Sequence, residues 1–287
     1  MRRRLAVLLV LATASCQFGG APHPHNVLGA AWQAEGMWHY PRRMLSGSRT
    51  GIVSVRESGP SGGLTADGEA YDPEALAAAS PDLQLPAIAR VTNLAAGRSL
   101  TVRVNDRGPR DPGRLLALTP RAARLLGVGT AGAAVRMTVL TGPTQAAEDA
   151  LAGGIRLAMR AAPVGAVTSA PLGPSGGGTV ALAAPVSGPV ASGPDGSIRP
   201  ALSGRVAVAA PSRVSLFVRL GRFDQYQYAA VLAARMAGLG ARVNTEFVGR
   251  EQRFAVRLGP FADIAAADRA LRAALAAGVS APRIVVR

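Results

Sequence analysis

Across residues 88–109, IARVTNLAAGRSLTVRVNDRGP, aliphatic and polar positions alternate in two runs separated by Ala95, Ala96 and Gly97. The period of two predicts strands, and the glycine suits a tight reversal, so the stretch reads as a β-hairpin. Val91, Leu100, Val102 and Val104 would face a core. The second run stops at Asn105-Asp106-Arg107-Gly108-Pro109. There the proline cannot continue a ladder and the glycine permits a turn, so a carboxylate and a guanidinium are presented together at a strand end.

The same alternation predicts strands at 51–55, 114–118 and 135–140. A glycine-rich loop at 59–63 follows the first, and Asp67-Gly68 predicts a turn that presents Glu69 just beyond it. Alanines at 75–79 predict a helical turn ahead of Pro81. Thr119-Pro120 reads as an N-cap with proline at the first helical position, opening a helix that stops at Gly127. Several short strands and one or two small helices within 51–141 predict a compact, mainly β barrel.

Near the C-terminus the pattern repeats. VRLGRF at 218–223 returns as VRLGPF at 256–261. Each copy begins as a strand and leads to an alanine-rich helix, 228–239 or 265–277, that ends at Gly240 or Gly278. A β-branched stretch follows each, at 243–248 and 283–286. Two βαβ units in 213–287 predict a ferredoxin-like βαββαβ α+β domain: four strands, two helices on one face, and an open face available to something long.

The flanking segments carry less pattern. Residues 145–161 are compatible with a helix, whereas 163–211 are rich in Ala, Gly, Pro, Ser and Val and almost uncharged. The whole of 142–212 is therefore read as a helix and a partly extended tether, with no site assigned to it. At the other end, Arg2, Arg3 and Arg4 precede a ten-residue apolar run at 5–14. That run is too short for a bilayer core of about 30 Å but suits an export signal. Cys16, the one cysteine, follows Ala14-Ser15 in the manner of a bacterial lipobox, although Thr13 departs from the aliphatic residue such boxes carry. Residues 1–16 are thus expected to be a signal peptide and Cys16 a lipidation site that anchors the protein to a membrane. Residues 17–50 read as a flanking segment. It holds all three histidines, His23, His25 and His39, and their spacing does not make a metal site.

All 32 basic residues are arginine against 17 acidic ones, for a net charge of +15. This charge favours anionic surfaces. Aromatic residues are only 4% of the chain, which weakens any base-stacking platform. With export, this argues against nucleic acid as a partner.

The motifs TADGEAYD, LAAASPDLQLP, RVTNLAAGRS, VRVNDRGP and RLLALTPRAARLLG follow in the order and spacing of rare lipoprotein A (RlpA), a family the 51–141 segment resembles closely. The resemblance implies a double-psi β-barrel and lytic transglycosylase activity on peptidoglycan. Such enzymes cleave the MurNAc–GlcNAc bond of peptide-denuded glycan and leave 1,6-anhydro ends. The 213–287 segment, with VRLGRF and VRLGPF, resembles the SPOR domain, which binds denuded glycan at division septa. No cofactor is implied.

Cleaving a glycosidic bond needs a carboxylic acid to protonate the leaving oxygen and a means to stabilise an oxocarbenium-like transition state. If the muramic 6-hydroxyl attacks, the same group returns as base and no water need be activated. Asp106 and Glu69 are the carboxylates at the matching positions: Asp106 is assigned as acid/base and Glu69 as its partner, with exchange of the two roles left open. Arg107, Ser80 and Thr65 are supporting residues. Three departures count against activity. Ser80 stands where the family has a histidine, Ala117 where a third carboxylate is usual, and Val53 to Glu57 where an aromatic pair is usual. A catalytically degenerate wall-binding or division-scaffold protein is the alternative. In the SPOR-like domain Arg219, Arg257 and Phe223 are assigned to glycan. Arg219 replaces a common glutamine, and Phe223 equally suits a core.

Overall fold

The computed structural model describes residues 21–56, 63–109, 111–151, 190–192, 198–200 and 202–287. The expected signal peptide, Cys16, most of the glycine-rich loop at 59–63 and most of the expected tether lie outside these residues.

A short hairpin, β1 (Trp32–Ala34) and β2 (Met37–His39), precedes the barrel. The barrel strands are β3 (Gly47–Val55), β4 (Ala77–Ala79), β5 (Ala87–Asn93), β6 (Arg98–Asp106), β7 (Arg114–Leu118) and, after helix α1 (Pro120–Leu126), β8 (Ala133–Val139). They are hydrogen-bonded in the order β6-β4-β7-β3-β8-β5, and β5 returns to β6, so the sheet closes on itself. Closure joins the first and last strands of that order and points alternate residues inward. Val91, Leu100, Val102 and Val104 are all buried there, joined by Leu116, Leu118, Val135 and Met137.

The predicted hairpin is β5 and β6, antiparallel, and it reverses at Gly97, whose φ is +68°. Helix α1 starts at Pro120 and ends at a left-handed Gly127, as the sequence predicts. Thr119 does not cap it with its side chain, because its hydroxyl donates to the Ala75 carbonyl at 2.6 Å. The helical turn expected over 75–79 does not form: Ala77 to Ala79 are β4, parallel to β6 and antiparallel to β7. Two waiting ladders outweigh alanine's helical preference, and small side chains fit the crowded interior.

Helix α2 (Thr141–Asp149) starts four residues earlier than the sequence suggested. After a two-stranded piece, β9 (Val190–Ser192) and β10 (Ile198–Pro200), comes β11 (Ala207–Val208), which is a correction to the tether reading. β4 covers only 103–106 of β6. β11 takes up the uncovered end at Arg98 and Ser99, as an exposed strand edge invites.

The C-terminal domain has the expected order: β12 (Leu216–Phe223), α3 (Tyr226–Arg235), β13 (Arg242–Val248), β14 (Glu251–Phe261), α4 (Ile264–Ala276) and β15 (Arg283–Val286). Its sheet runs β13-β14-β12-β15. Leu216, Val218, Leu220, Val256, Leu258 and Leu271 form its core. The domain does not stand apart. Ile52, Leu94 and Ala134 of the barrel belong to this same apolar cluster, and the Thr50 hydroxyl donates to the Val286 carbonyl at 2.8 Å.

Candidate functional site

A cleft of about 300 Å³ opens over β4, the far half of β6 and the 69–77 stretch. Glu69, Arg103 and Asn105 form its floor, Arg56, Tyr71 and Asp72 one side, and Thr119 the other. Asp67-Gly68 makes the expected turn, Gly68 having a φ of +81°. Thr65 closes that turn: its hydroxyl donates to Asp67 Oδ1 at 2.7 Å and accepts from the Glu69 amide at 3.1 Å.

Glu69 is 1% exposed. Its carboxylate accepts from Arg103 Nε on Oε1 and from Asn105 Nδ2 on Oε2, each at 2.8 Å. Asp67, wholly buried beside it, has a carboxyl pushed up to about 7 by burial first and then by the Glu69 charge, against the pull of the Thr65 hydroxyl and Arg103. The floor is therefore a buried network in which one guanidinium serves two carboxyl groups.

Asp106 is one residue beyond Asn105 and is not itself among the residues that line the cleft. Its Oδ1 accepts from the amides of Ala66 at 2.8 Å and Arg107 at 2.7 Å, and its Oδ2 is paired with Arg56. Arg56 also stacks over the Tyr71 ring, 4.2 Å from its centroid. Its side chain is 30% exposed, so the pair sits at the solvent boundary, unlike Glu69 and Arg103.

The other expected supporting residues turn away from the cleft. The Ser80 hydroxyl accepts from the Asp82 and Leu83 amides at 3.4 and 3.3 Å. Arg107 donates to the Leu28 carbonyl at 2.7 Å and also to that of Leu83, tying the N-terminal flank to the barrel.

Sequence reasoning missed Arg103, Tyr71, Asp72 and the segment at 202–204. Arg103 carried no signal of its own, since it takes a polar position of the alternation just as Thr101 and Asn105 do. Leu202, Ser203 and Gly204 had none either: they reach the cleft wall only because β11 joins β6. In the C-terminal domain Arg219 lies on the open face. Arg257, only 5% exposed, is paired there with Glu246, and Phe223 packs on the helix side beside Gly221. Among the described residues no group of side chains has the makings of a metal site, and no helix is long and apolar enough to cross a membrane.

Two family models match, one described as lytic transglycolase over residues 47–137 and one as SPOR domain over 213–283. The chain is similar to the endolytic peptidoglycan transglycosylase RlpA of Pseudomonas aeruginosa, with 30% identity over 92% of this chain and 79% of that protein. It is 47% identical over 76 residues to the protein of the same name from Escherichia coli K12, a match covering 26% of this chain and 21% of the relative. A probable RlpA transglycosylase from Nostoc is 45% identical over 106 residues, 35% of this chain and 29% of the relative. The E. coli match thus spans about a fifth of that relative's length.

Proposed function

This chain belongs to the rare lipoprotein A family, and from that premise we propose that it is an endolytic lytic transglycosylase of peptidoglycan. Its substrate is the peptide-denuded glycan strand, and its C-terminal domain holds that strand at the division septum. The protein is exported and anchored through Cys16.

One observation carries the catalytic reading. Asp106 has one carboxyl oxygen fixed by two backbone amides and the other turned to a partly exposed Arg56, which lines the cleft. An incoming strand that draws Arg56 away frees Oδ2 to take up a proton from solvent. The protonated carboxyl then gives its proton to the MurNAc–GlcNAc oxygen as the C1–O bond breaks. The muramic 6-hydroxyl closes on C1 and returns its proton to the carboxylate. Glu69, engaged with Arg103 and Asn105, is a positioning residue that keeps the cleft floor rigid. Tyr71 provides the wall against which a sugar ring lies.

The second reading, a wall-binding protein without catalysis, draws on the same geometry. Both candidate carboxylates are paired with guanidiniums, and no histidine is among the residues lining the cleft.

Full-length protein incubated with amidase-treated sacculi separates the two. Release of 1,6-anhydro products that is abolished in Asp106→Asn supports the enzyme. Co-sedimentation with sacculi without any release overturns it in favour of the binding reading.

A further inference from the structure

Asp67 is wholly buried beside the cleft floor and takes no part in the cleavage step. Its two carboxyl oxygens differ. Oδ1 accepts from the Thr65 hydroxyl at 2.7 Å and the Glu69 amide at 3.3 Å, whereas Oδ2 has no hydrogen-bond partner among the described residues. A bare buried oxygen is tolerable on a neutral acid and costly on a carboxylate.

Arg103 stands between the two acids. Its Nη2 lies 2.6 Å from Glu69 Oε1 and 3.9 Å from Asp67 Oδ2, and its buried Nη1 donates to nothing among the described residues. A guanidinium with an unused donor thus faces a carboxyl with an unused acceptor. Closing the Nη2 to Oδ2 gap to hydrogen-bond length takes a movement of about 1 Å.

The charge on Asp67 decides whether that movement is favourable. Around the same turn, the Asn105 carbonyl accepts from the Asp67 amide at 3.2 Å, and Asp106 accepts from the Ala66 amide at 2.8 Å. From the flank, the amides of His25 and His23 donate to the Asp67 and Gly68 carbonyls at 2.8 and 2.9 Å, and both histidines are exposed. Asp106 is held by Arg56, which leaves Arg103 as the cation that answers to both Glu69 and Asp67. Burial, then the Glu69 charge, raise the Asp67 carboxyl to about 7. The arrangement with Arg103 on Glu69 therefore belongs to the neutral acid.

We propose that Asp67 is a positioning residue for the cleft: neutral, it leaves Arg103 to Glu69, and ionised, it draws Arg103 off and loosens the cleft floor. Its proton goes to solvent, and Asp67 makes no bond to glycan. Cleavage is then fastest in mildly acidic medium and falls as Asp67 ionises. The effect on cleavage rests on the transglycosylase reading, whereas the movement of Arg103 does not.

Two measurements on the full-length protein test this. In the first, nuclear magnetic resonance follows the Asp67 carboxyl carbon and Arg103 Nε through a pH titration. The two signals are expected to move together with a midpoint of about 7, and the Arg103 signal to stay still in Asp67→Asn, whose amide cannot ionise. In the second, release of 1,6-anhydro products from amidase-treated sacculi is expected to fall at least about tenfold between about pH 6 and about pH 8.5. Asp67→Asn removes most of that fall, and a His23→Gln, His25→Gln double variant keeps it. An Asp67 carbon already ionised at pH 5, or an Arg103 signal that does not follow it, overturns the proposal. So does a fall that persists in Asp67→Asn or vanishes with the two histidines. Absence of product at every pH defeats the transglycosylase reading instead, and the resonance titration of the native chain, which needs neither turnover nor a variant, then decides the role of Asp67.

Discussion

Arg103 and Glu69 face each other inside the barrel floor, 7% and 1% exposed at their side chains and 2.8 Å apart from Nε to Oε1. Removing one member of a buried pair strands the other's charge, which costs about 3–5 kcal/mol, whereas removing both together costs far less. Arg103→Leu is therefore expected to lower unfolding free energy in urea by about 3–5 kcal/mol. Arg103→Leu combined with Glu69→Leu recovers most of that loss. Equal stability of the single and double variants would show that the pair does not organise the floor.

Asp67 predicts a pH dependence of a particular sign. Its ordinary value of 3.8 applies to the unfolded chain, while burial and Glu69 raise it to about 7 in the folded protein. Between these values the unfolded chain has released a proton that the folded chain retains. The stabilisation is complete below about pH 3.8 and is lost as pH rises through about 7, with a limiting slope of about 1.4 kcal/mol per pH unit. Asp82 acts in the opposite sense, but only as pH falls below its ordinary value of 3.8. Denaturation of the native chain and Asp67→Asn at pH 5 and pH 8 should give curves that diverge toward pH 5 in favour of the native chain. Parallel behaviour would mean that Asp67 folds ionised.

Much of this architecture was legible in the chain. The period-two runs of β5 and β6, the Thr119-Pro120 start and Gly127 stop of α1, and the doubled VRLG motif are local signals, and local physics kept them. The misses are non-local. Ala77 to Ala79 became a strand because β6 and β7 offered ladders on both sides. The 202–209 segment lacks apolar periodicity and was placed by an uncovered edge of β6. At the site, motif order singled out Glu69 and Asp106 but not their cationic partners, since Arg56 and Arg103 meet them only once the barrel closes.

Domain docking makes a third prediction. Gly113 has a φ of +76°, and a Cβ there would lie 2.5 Å from Leu271 Cδ1 of the C-terminal domain. Gly113→Ala therefore strains its own backbone and pushes on the Leu271 side chain across the domain contact. Asp268→Ala removes both bonds to Arg114 without adding bulk, a loss of about 1.5–3 kcal/mol. Each variant should increase the radius of gyration in solution scattering and separate one melting transition into two. An unchanged radius in both would mean that the apolar cluster around Ile52 and Ile284 suffices to hold the domains together.

Gly97 links the hairpin turn to the cleft wall. Its φ of +68° suits glycine, and a Cβ there would sit 1.9 Å from the Ala209 carbonyl oxygen, so no relaxation short of moving the chain can accommodate it. The Ala209 amide donates to the Gly97 carbonyl at 2.9 Å and the Ser212 amide to the Leu94 carbonyl at 2.8 Å, and these bonds seat the strand that brings 202–204 to the cleft. Gly97→Ala should therefore lift β11 off β6 while β5, β6 and β8 stay paired by their own ladders. Hydrogen exchange checks this directly. The Ala209 and Ser212 amides are expected to exchange at least about tenfold faster, with those of Val91 and Val102 unaffected. Because the cleft loses a wall and not its floor, glycan release by the variant should change through KM more than through kcat. Unchanged protection at Ala209 would show that β11 is held by something other than the turn.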